Sequence, residues 1–510
     1  MDSSKRFAVQ SVRLVVVFLC SVFLCSTART DAQDVVPAVV VTRGPYLQGL
    51  FDTTVEVRFE TSAPVVASVR GNAAADDAGA DPALAFDVEG VMGASHRIRI
   101  DGLRPDTDYE YVVVAREDAD GAREAFAPLA RFRTAPAPGS GSFRAVAIGD
   151  SGIDSPEQHA LAEVIESFAP DIFLHTGDLL YVASVDRGVF APYRRILTRS
   201  CFFPTRGNHD FGLEVDGTSW RDLFAVPNDD PERTRVFYSY DWGPAHFLVL
   251  DYHSAFADDS AQTAFARADL AAARARDVRW LIVYQHLPVY SIGAYADLEH
   301  PMRERLRGLA DEFSVDLVLS GHDHNYQRTF PVGQHVVRDA WQGDEAFSPR
   351  GTVYVVTGGG GAVLYGMRRS AAQVPFVARF EARHHAVVLD ISPEALLLRA
   401  VSLEGEVFDA MTLRKDRAPP PFRFVAGDAT GDSSVGLSDA VAILNALFLG
   451  VTLPCPAAAR VASDGPTLRL TQAIYLLEFL FRAGPPPLAP FPDCGEVPGA
   501  DDGFCYRSGC

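Results

Sequence analysis

The sequence predicts an α/β layered core, preceded by an all-β sandwich and followed by a small helical module. Three observations carry this prediction. Between residues 143 and 414, apolar strand-like runs alternate with helical patterns. Residues 37–135 show strand alternation alone, broken by Gly, Pro and Asp clusters. Within 422–510, two loop–helix units repeat at an offset of 33 residues.

The 510-residue length accommodates several domains, and 48% hydrophobic residues supply material for their cores. A formal charge of −20 and a pI near 5.0 argue against a nucleic-acid surface and against adhesion to anionic lipid. They do not forbid a phosphate substrate, because bound cations reverse the local field. Residues 1–32 read as an export signal. Lys5, Arg6 and Arg13 precede LVVVFLCSVFLC (14–25), and small residues follow in STARTDA (26–32). The apolar run is short for a membrane span, an uncleaved anchor being the alternative, and no other stretch is apolar enough to span. The chain is therefore expected in an exported location: secreted, periplasmic or at the cell surface. Cysteine placement agrees. Cys201 stands alone, whereas Cys455, Cys494, Cys505 and Cys510 crowd the C-terminal part, where two disulfides are expected with three pairings open.

The elements follow in chain order. VEVRFET (55–61) and HRIRI (96–100) alternate as half-buried strands do. GLRPDTDYEYVVV (102–114) places a turn before a strand carrying Tyr109 and Tyr111, and resembles the stretch of fibronectin type III sandwiches in which a tyrosine ties a corner. APAPGSGS (135–142) is a linker by composition. FRAVAIGD (143–150), DIFLHTGD (171–178), AHFLVLD (245–251), RWLIVYQH (279–286) and VDLVLSGHDH (315–324) are buried-type strands. SPEQHALAEVIESF (155–168), with Ser155 as N-cap, ARADLAAARARD (266–277) and MRERLRGLADEF (302–313) are helical. KDRAPPPF (415–422) is a second linker. DAVAILNALFLG (439–450) and QAIYLLEFLFRAG (472–484) are the repeated helices.

Each core strand ends in a polar cluster: GDSG (149–152), GDLLY (177–181), GNHD (207–210), QH (285–286) and GHDH (321–324). Such sheets carry their chemistry at the carboxyl ends of the strands. A lone Asp after a strand is usually a cap, and a lone His usually a core group. Five clusters in the same position are not explained that way. Carboxylates suit hard cations, and imidazoles suit borderline divalent metals. One carboxylate can bridge two ions, and a binuclear site activates water and clamps phosphate oxygens.

These five blocks resemble those of the calcineurin-like metallophosphoesterases. The tyrosine of GDLLY and the RGPYLQ stretch (43–48) resemble the purple acid phosphatase branch over roughly residues 40–410. The resemblance implies an α-β-β-α sandwich for residues 143–414 and a binuclear centre. Asp150, Asp178, Tyr181 and His324 would hold ferric iron. Asp178, Asn208, His286 and His322 would hold iron(II), zinc or manganese. Asp178 would bridge, Tyr181 would be a phenolate, and His209 would contact the phosphate. There is one departure. Family members often carry a second active-site histidine shortly after the His286 block, and HLPVYSIGAYADLEH (286–300) has Tyr295 about there, with His300 five residues on. Tyr295, His300 and His209 are therefore the candidates for the leaving-group acid, His209 being favoured.

His175 and His246 lie within apolar strands and read as core groups. His384 and His385 read either as lining the site or as capping a strand. TGGGG (357–361) reads as a tight loop beside the metals. In the C-terminal repeat, DATGDSSVGLSD (428–439) places Asp428, Thr430, Asp432 and Asp439 at positions 1, 3, 5 and 12 of a calcium-type loop. It resembles a dockerin repeat, which implies a protein partner. The second copy offers Val461, Ser463, Gly465 and Gln472 instead, so one calcium at most is expected.

The reading is an exported binuclear acid phosphatase that hydrolyses small phosphate monoesters by attack of a metal-bound hydroxide. A phosphodiesterase or nucleotidase using the same donors is the rival within that chemistry. A surface binding protein with a vestigial metal site is the rival of another class.

Overall fold

A computed structural model of the chain describes residues 39–496, apart from short internal segments, the longest being 75–85, 211–219 and 228–235. The expected export signal, Cys505 and Cys510 lie outside the described residues. No helix among those described is long and apolar enough to cross a membrane.

The N-terminal β-rich region is built around one long strand, Thr54–Ala73. Its first half pairs with Val41–Gln48 and Gly93–Asp101, and its second half with Phe86–Glu89 and Asp108–Arg116. Alternation buries Val55, Val57 and Phe59 on one face. The Tyr109 hydroxyl accepts from the Arg104 amide at 2.9 Å, tying the turn to the strand that follows it. RGPYLQ faces the α/β core. Tyr46 donates to the Leu223 carbonyl at 3.0 Å, and Gln48 to that of Phe202 at 3.2 Å. Buried Arg58 donates to the Asp222 carbonyl at 2.7 Å.

The core contains two mixed sheets. One runs in the order Cys201–Pro204, Ile172–His175, Phe143–Ile148, His385–Ile391, Ala395–Ser402, Val407–Arg414, Glu345–Phe347, Trp341–Gln342. The other runs Tyr238–Trp242, Ala245–Val249, Trp280–Tyr284, Leu317–Ser320, Val353–Thr357, Tyr326–Thr329, Val377–Glu381. The first three strands of the first sheet are parallel, as are the four from Ala245–Val249 to Val353–Thr357 in the second. The period of two sorts the second sheet's side chains. Phe247, Val249, Ile282, Tyr284, Leu317 and Leu319 join the core shared with the first sheet. Leu248, Leu250, Leu281, Val283 and Val318 pack instead with the helices Ala261–Ala275 and Pro301–Phe313. Burial on both faces explains the unbroken apolar runs. Leu161 and Ile165 of helix Pro156–Ser167 join the shared core.

Caps set the helix starts. Ser155 accepts from the Gln158 amide at 3.2 Å, as expected. The middle helix begins at Ala261 rather than 266, because Ser260 caps it through the Thr263 amide at 3.3 Å. The strands at 201–204 and 385–414 were not anticipated. Strand Cys201–Pro204 is only four residues long, a run too short to recognise although GNHD follows it, and the strands from 385 to 414 end in none of the five clusters.

In the C-terminal module, helices Leu437–Leu449 and Leu470–Arg482 repeat in step, and Ala440 and Ile443 pack with their equivalents Ala473 and Leu476. Cys455 and Cys494 are disulfide-bonded, and Cys201 is buried and free.

Candidate metal centre

The parallel strands deliver the polar clusters to one edge. Asp150 and Asp178 leave their strands with φ of 58° and 56°, and His322 has φ 68°. Left-handed backbone at three non-glycine residues is uncommon, and it clusters at functional sites. The glycines keep the space clear. A Cβ on Gly207 would come 2.1 Å from Asp178 Oδ1, and one on Gly321 would come 2.5 Å from Asp150 Oδ2.

Two groups of donor atoms result. In the first, Tyr181 Oη lies 3.2 Å from Asp150 Oδ1, 2.7 Å from Asp178 Oδ2 and 3.1 Å from His324 Nε2. In the second, His286 Nε2 lies 3.0 Å from Asn208 Oδ1, 3.1 Å from His322 Nδ1 and 3.4 Å from Asp178 Oδ2. Asp178 Oδ2 belongs to both. Ligand atoms of Asp150, Asp178 and His324 all fall within 4.8 Å of one another, a group able to hold a metal ion.

Counting protons tests whether cations fit. His324 Nδ1 is 2.7 Å from the Val363 carbonyl, and His286 Nδ1 is 2.9 Å from that of Thr176. A carbonyl only accepts, so both Nδ1 atoms carry hydrogen, and in the neutral rings both Nε2 atoms present lone pairs. In the first group one phenol proton then faces three acceptors. Buried acceptors that converge with too few protons are costly unless a cation sits among them. The residues fit metal ions.

Without a cation, the buried carboxylates instead favour protons on His286 and His324. Burial acts to lower the His286 pKa, but the Asp178 and Asp150 carboxylates outweigh it and hold it at about 9. Burial acts to raise that of Asp178, but His286 outweighs it and holds the carboxylate below its usual range. Burial, helped by the His286 charge, drops His322 to about 3. Burial and the two carboxylates push the Tyr181 phenol well above its ordinary value. A phenolate at Tyr181 therefore requires a cation to reverse the local field.

Among the acid candidates, His209 is exposed, with its ring 4.4 Å from that of Tyr181 and its amide donating to Asp178 Oδ1 at 2.8 Å. Tyr295 lies over His322, with ring centroids 3.9 Å apart. His300 is held outside both groups: its Nδ1 accepts from the Met302 amide at 3.2 Å, capping helix Pro301–Phe313, and its ring stacks on Tyr252. His175 is buried, donating through Nε2 to Ser151 at 2.8 Å while Nδ1 accepts from Gly177. His246 is more than an inert core group, lying between Asp241 at 2.6 Å and Asp269 at 2.8 Å. His385 opens a strand and is fully buried, while the His384 ring meets the Gly359 carbonyl at 3.2 Å. TGGGG does lie beside the site: Gly360 donates to the Gly149 carbonyl and Ala362 to that of Asp150, both at 3.0 Å.

Sequence reasoning missed several supporting residues. Buried Asp210 accepts from the amides of Asp178, Leu179 and Gly207. Buried Asp323 accepts from Ser291 and the Ala294 amide. Both stand inside the motifs already singled out, as the unused letters of GNHD and GHDH. Tyr252, His253 and Tyr365 also surround the site, and no local pattern marks them.

In the C-terminal loop, Asp428, Asp432 and Asp439 turn inward onto local amides. Asp428 accepts from Asp432 and Ser433, and Asp439 from Thr430 and Gly436. Gln472 plays the Asp439 part in the second copy, accepting from Val461 at 2.8 Å and Ala462 at 2.9 Å. Ser463 and Gly465 lie outside the described residues.

Residues 143–326 match the family model of the calcineurin-like phosphoesterases. The chain thus carries a calcineurin-like metallophosphoesterase domain with purple acid phosphatase homologues. Purple acid phosphatase 15 of Arabidopsis thaliana is 26% identical over 53% of this chain and 54% of its own length. A probable inactive purple acid phosphatase 1 of the same plant is 28% identical over 53% of this chain and 50% of its own length. The chain thus spans about half the length of these two relatives. A purple acid phosphatase from yellow lupin (Lupinus luteus) seeds superposes with a TM-score of 0.63 at 22% identity, over 74% of this chain and 75% of that one. The fold is therefore purple acid phosphatase-like, with a β-rich N-terminal region.

Proposed function

We propose that this chain is an exported binuclear metal-dependent phosphatase acting on small phosphate monoesters. One observation carries the reading: Asp178 Oδ2 is shared by two groups of buried donors, 2.7 Å from Tyr181 Oη and 3.4 Å from His286 Nε2. A single carboxylate set between two donor groups is what a bridged pair of ions requires. Asp150, Asp178, Tyr181 and His324 would hold ferric iron, and Asp178, Asn208, His286 and His322 would hold iron(II), zinc or manganese. When bound, such ions activate water and neutralise phosphate charge.

The chain's own residues do the rest. The His209 amide fixes Asp178 Oδ1, leaving Oδ2 for the donor groups. Asp210 gathers the amides of the GDLLY and GNHD loops and so locks Asp178 beside Asn208. Exposed on Tyr181, His209 is placed to reach a phosphate seated at the centre and to protonate the departing oxygen. Disulfides at Cys455 and Cys494 support an oxidising, exported location. For the C-terminal module the reading is one calcium in the first loop, none in the second, and a protein partner.

The test is metal analysis of the purified protein with a panel of monoesters, diesters and nucleotides. Two ions per chain and monoester hydrolysis lost on chelation are expected. Asp178→Asn should lower metal content and turnover together by orders of magnitude. Near-normal turnover with two ions still bound would overturn the bridge. Preferred diester cleavage would move the reading to a phosphodiesterase, and no hydrolysis at all to a binding protein, a possibility kept alive by the probable inactive relative.

A further inference from the structure

We propose that Tyr295 and Tyr365 form a seat for a flat aromatic group esterified directly to the phosphate, which makes aryl phosphates the preferred substrates. The inference rests on the phosphatase reading above.

Both rings flank the donor groups. Tyr295 lies 3.9 Å from the His322 ring, and Tyr365 stacks on His324 at 4.2 Å with planes 11° apart. Their own centroids are 6.2 Å apart at 62°, and both remain partly exposed. Val363 and Met367, 74% and 55% exposed, extend the apolar surface along the same loop.

The wall is built, not draped. The Tyr295 carbonyl accepts from Arg303 Nη2 at 2.8 Å, and Arg303 also holds Leu298 at 2.7 Å. Asp323, between the two GHDH histidines, takes the amide of Ala294 at 2.8 Å and that of Tyr295 at 3.4 Å. The Tyr365 amide donates to the His324 carbonyl at 2.8 Å. The two loops are stitched together where the Arg368 and Arg369 amides meet the Ile292 carbonyl at 2.8 and 3.1 Å. The same frame that orients His322 and His324 thus orients the two phenol rings.

A phosphate seated among the donors carries its ester oxygen outward, and on the His322–His324 side the next surface is aromatic. Rings of 4.5–7 Å centroid separation attract beyond their area burial, by roughly 0.5–1.5 kcal/mol, and this favours a planar aryl group over a saturated one of equal size. The large groove of about 1120 Å³, lined by His300, Arg303 and Arg369, takes in none of the donor residues.

The experiment is calorimetric binding of phenylphosphonate and cyclohexylphosphonate to the metal-loaded protein, beside hydrolysis of phenyl and cyclohexyl phosphate. Wild type should bind the phenyl compound about 3- to 10-fold more tightly. Tyr295→Leu and Tyr365→Leu should each erode that ratio toward one, while Tyr295→Phe and Tyr365→Phe, which keep the rings, should retain it. Equal binding of the two phosphonates by a wild type that hydrolyses phosphate esters overturns this inference alone. Retention of the ratio in both leucine variants also overturns it. Failure to bind either phosphonate, with no ester hydrolysed, overturns the phosphatase reading and this inference with it.

Discussion

At the scale of single residues, the centre turns on how few protons face how many acceptors. Tyr181 illustrates the balance. With two carboxylates within 3.2 Å, its phenol holds its proton far above the ordinary pH of ionisation. A ferric ion would reverse that, and a ferric phenolate absorbs visible light. The iron-loaded protein should therefore be pink or purple, and Tyr181→Phe should bleach it with the fold intact by circular dichroism. A colourless iron-loaded wild type would make Tyr181 a packing residue. The proposal for the leaving-group acid is tested at the same scale. A positioned acid contributes about 10²–10⁴-fold and matters most for poor leaving groups. His209 is exposed beside Tyr181, whereas the His300 ring is committed to a helix cap. His209→Ala should slow alkyl phosphates far more than nitrophenyl phosphate, and His300→Ala should change the two substrates in equal proportion. Equal slowing of both substrates by His209→Ala, measured as kcat/KM, would remove His209 from that role.

At the scale of elements, a buried ion cluster ties strand Ala245–Val249 to its neighbours. His246 bridges Asp241 on strand Tyr238–Trp242 and Asp269 on helix Ala261–Ala275. Burial acts to lower its pKa, but the two carboxylates outweigh burial and hold it at about 9. A pKa raised above its unfolded value of 6.5 stabilises the fold fully below pH 6.5 and loses that contribution as pH rises through 9. The amount is on the order of 3 kcal/mol. Urea unfolding should show wild type losing stability between pH 6.5 and 9 more steeply than His246→Gln. Identical slopes would show that the imidazolium contributes nothing. Reading this strand as apolar placed it correctly, but assigned His246 to inert core. Asp241 is 5 residues away on the preceding strand and Asp269 is 23 away on a helix, so no single strand or helix pattern contains the cluster.

At the scale of the whole molecule, the three parts connect differently. Arg58, Tyr46 and Gln48 join the N-terminal region to the core through buried hydrogen bonds to residues 202–225. The C-terminal module has its own apolar core. Its helices' shared offset makes the two loops comparable, and Asp439 and Gln472 fill the same place with different charge. Calorimetry of the full chain should find one calcium ion in this module. A chelator should lower the melting temperature of this module's transition and leave that of the N-terminal region unchanged. Two ions there would refute the reading of the second loop.

The sequence by itself marked many of the core's strands and helices and picked out the seven side chains that the structure gathers into two groups. Buried parallel strands advertise themselves as apolar runs, and a chemistry that needs polar groups at their ends leaves those groups in short, readable motifs. The C-terminal repeat was legible for the same reason, because self-similarity survives without any contact. Tertiary structure alone decided what surrounds the donors. Asp178 Oδ2 became the shared atom only when the second sheet brought His286, 108 residues further on (286 − 178), to the loop that already carries Tyr181. Tyr365 met His324, and Arg303 reached back to Tyr295, across 41 and 8 residues with no motif between them. His300 stood in sequence both as a candidate acid and at the start of a helical pattern before Pro301, and in the structure its Nδ1 accepts the Met302 amide. Covalent order sets which residues a strand end presents. The packing of separate strand ends against one another sets which atoms meet, and no local pattern records that.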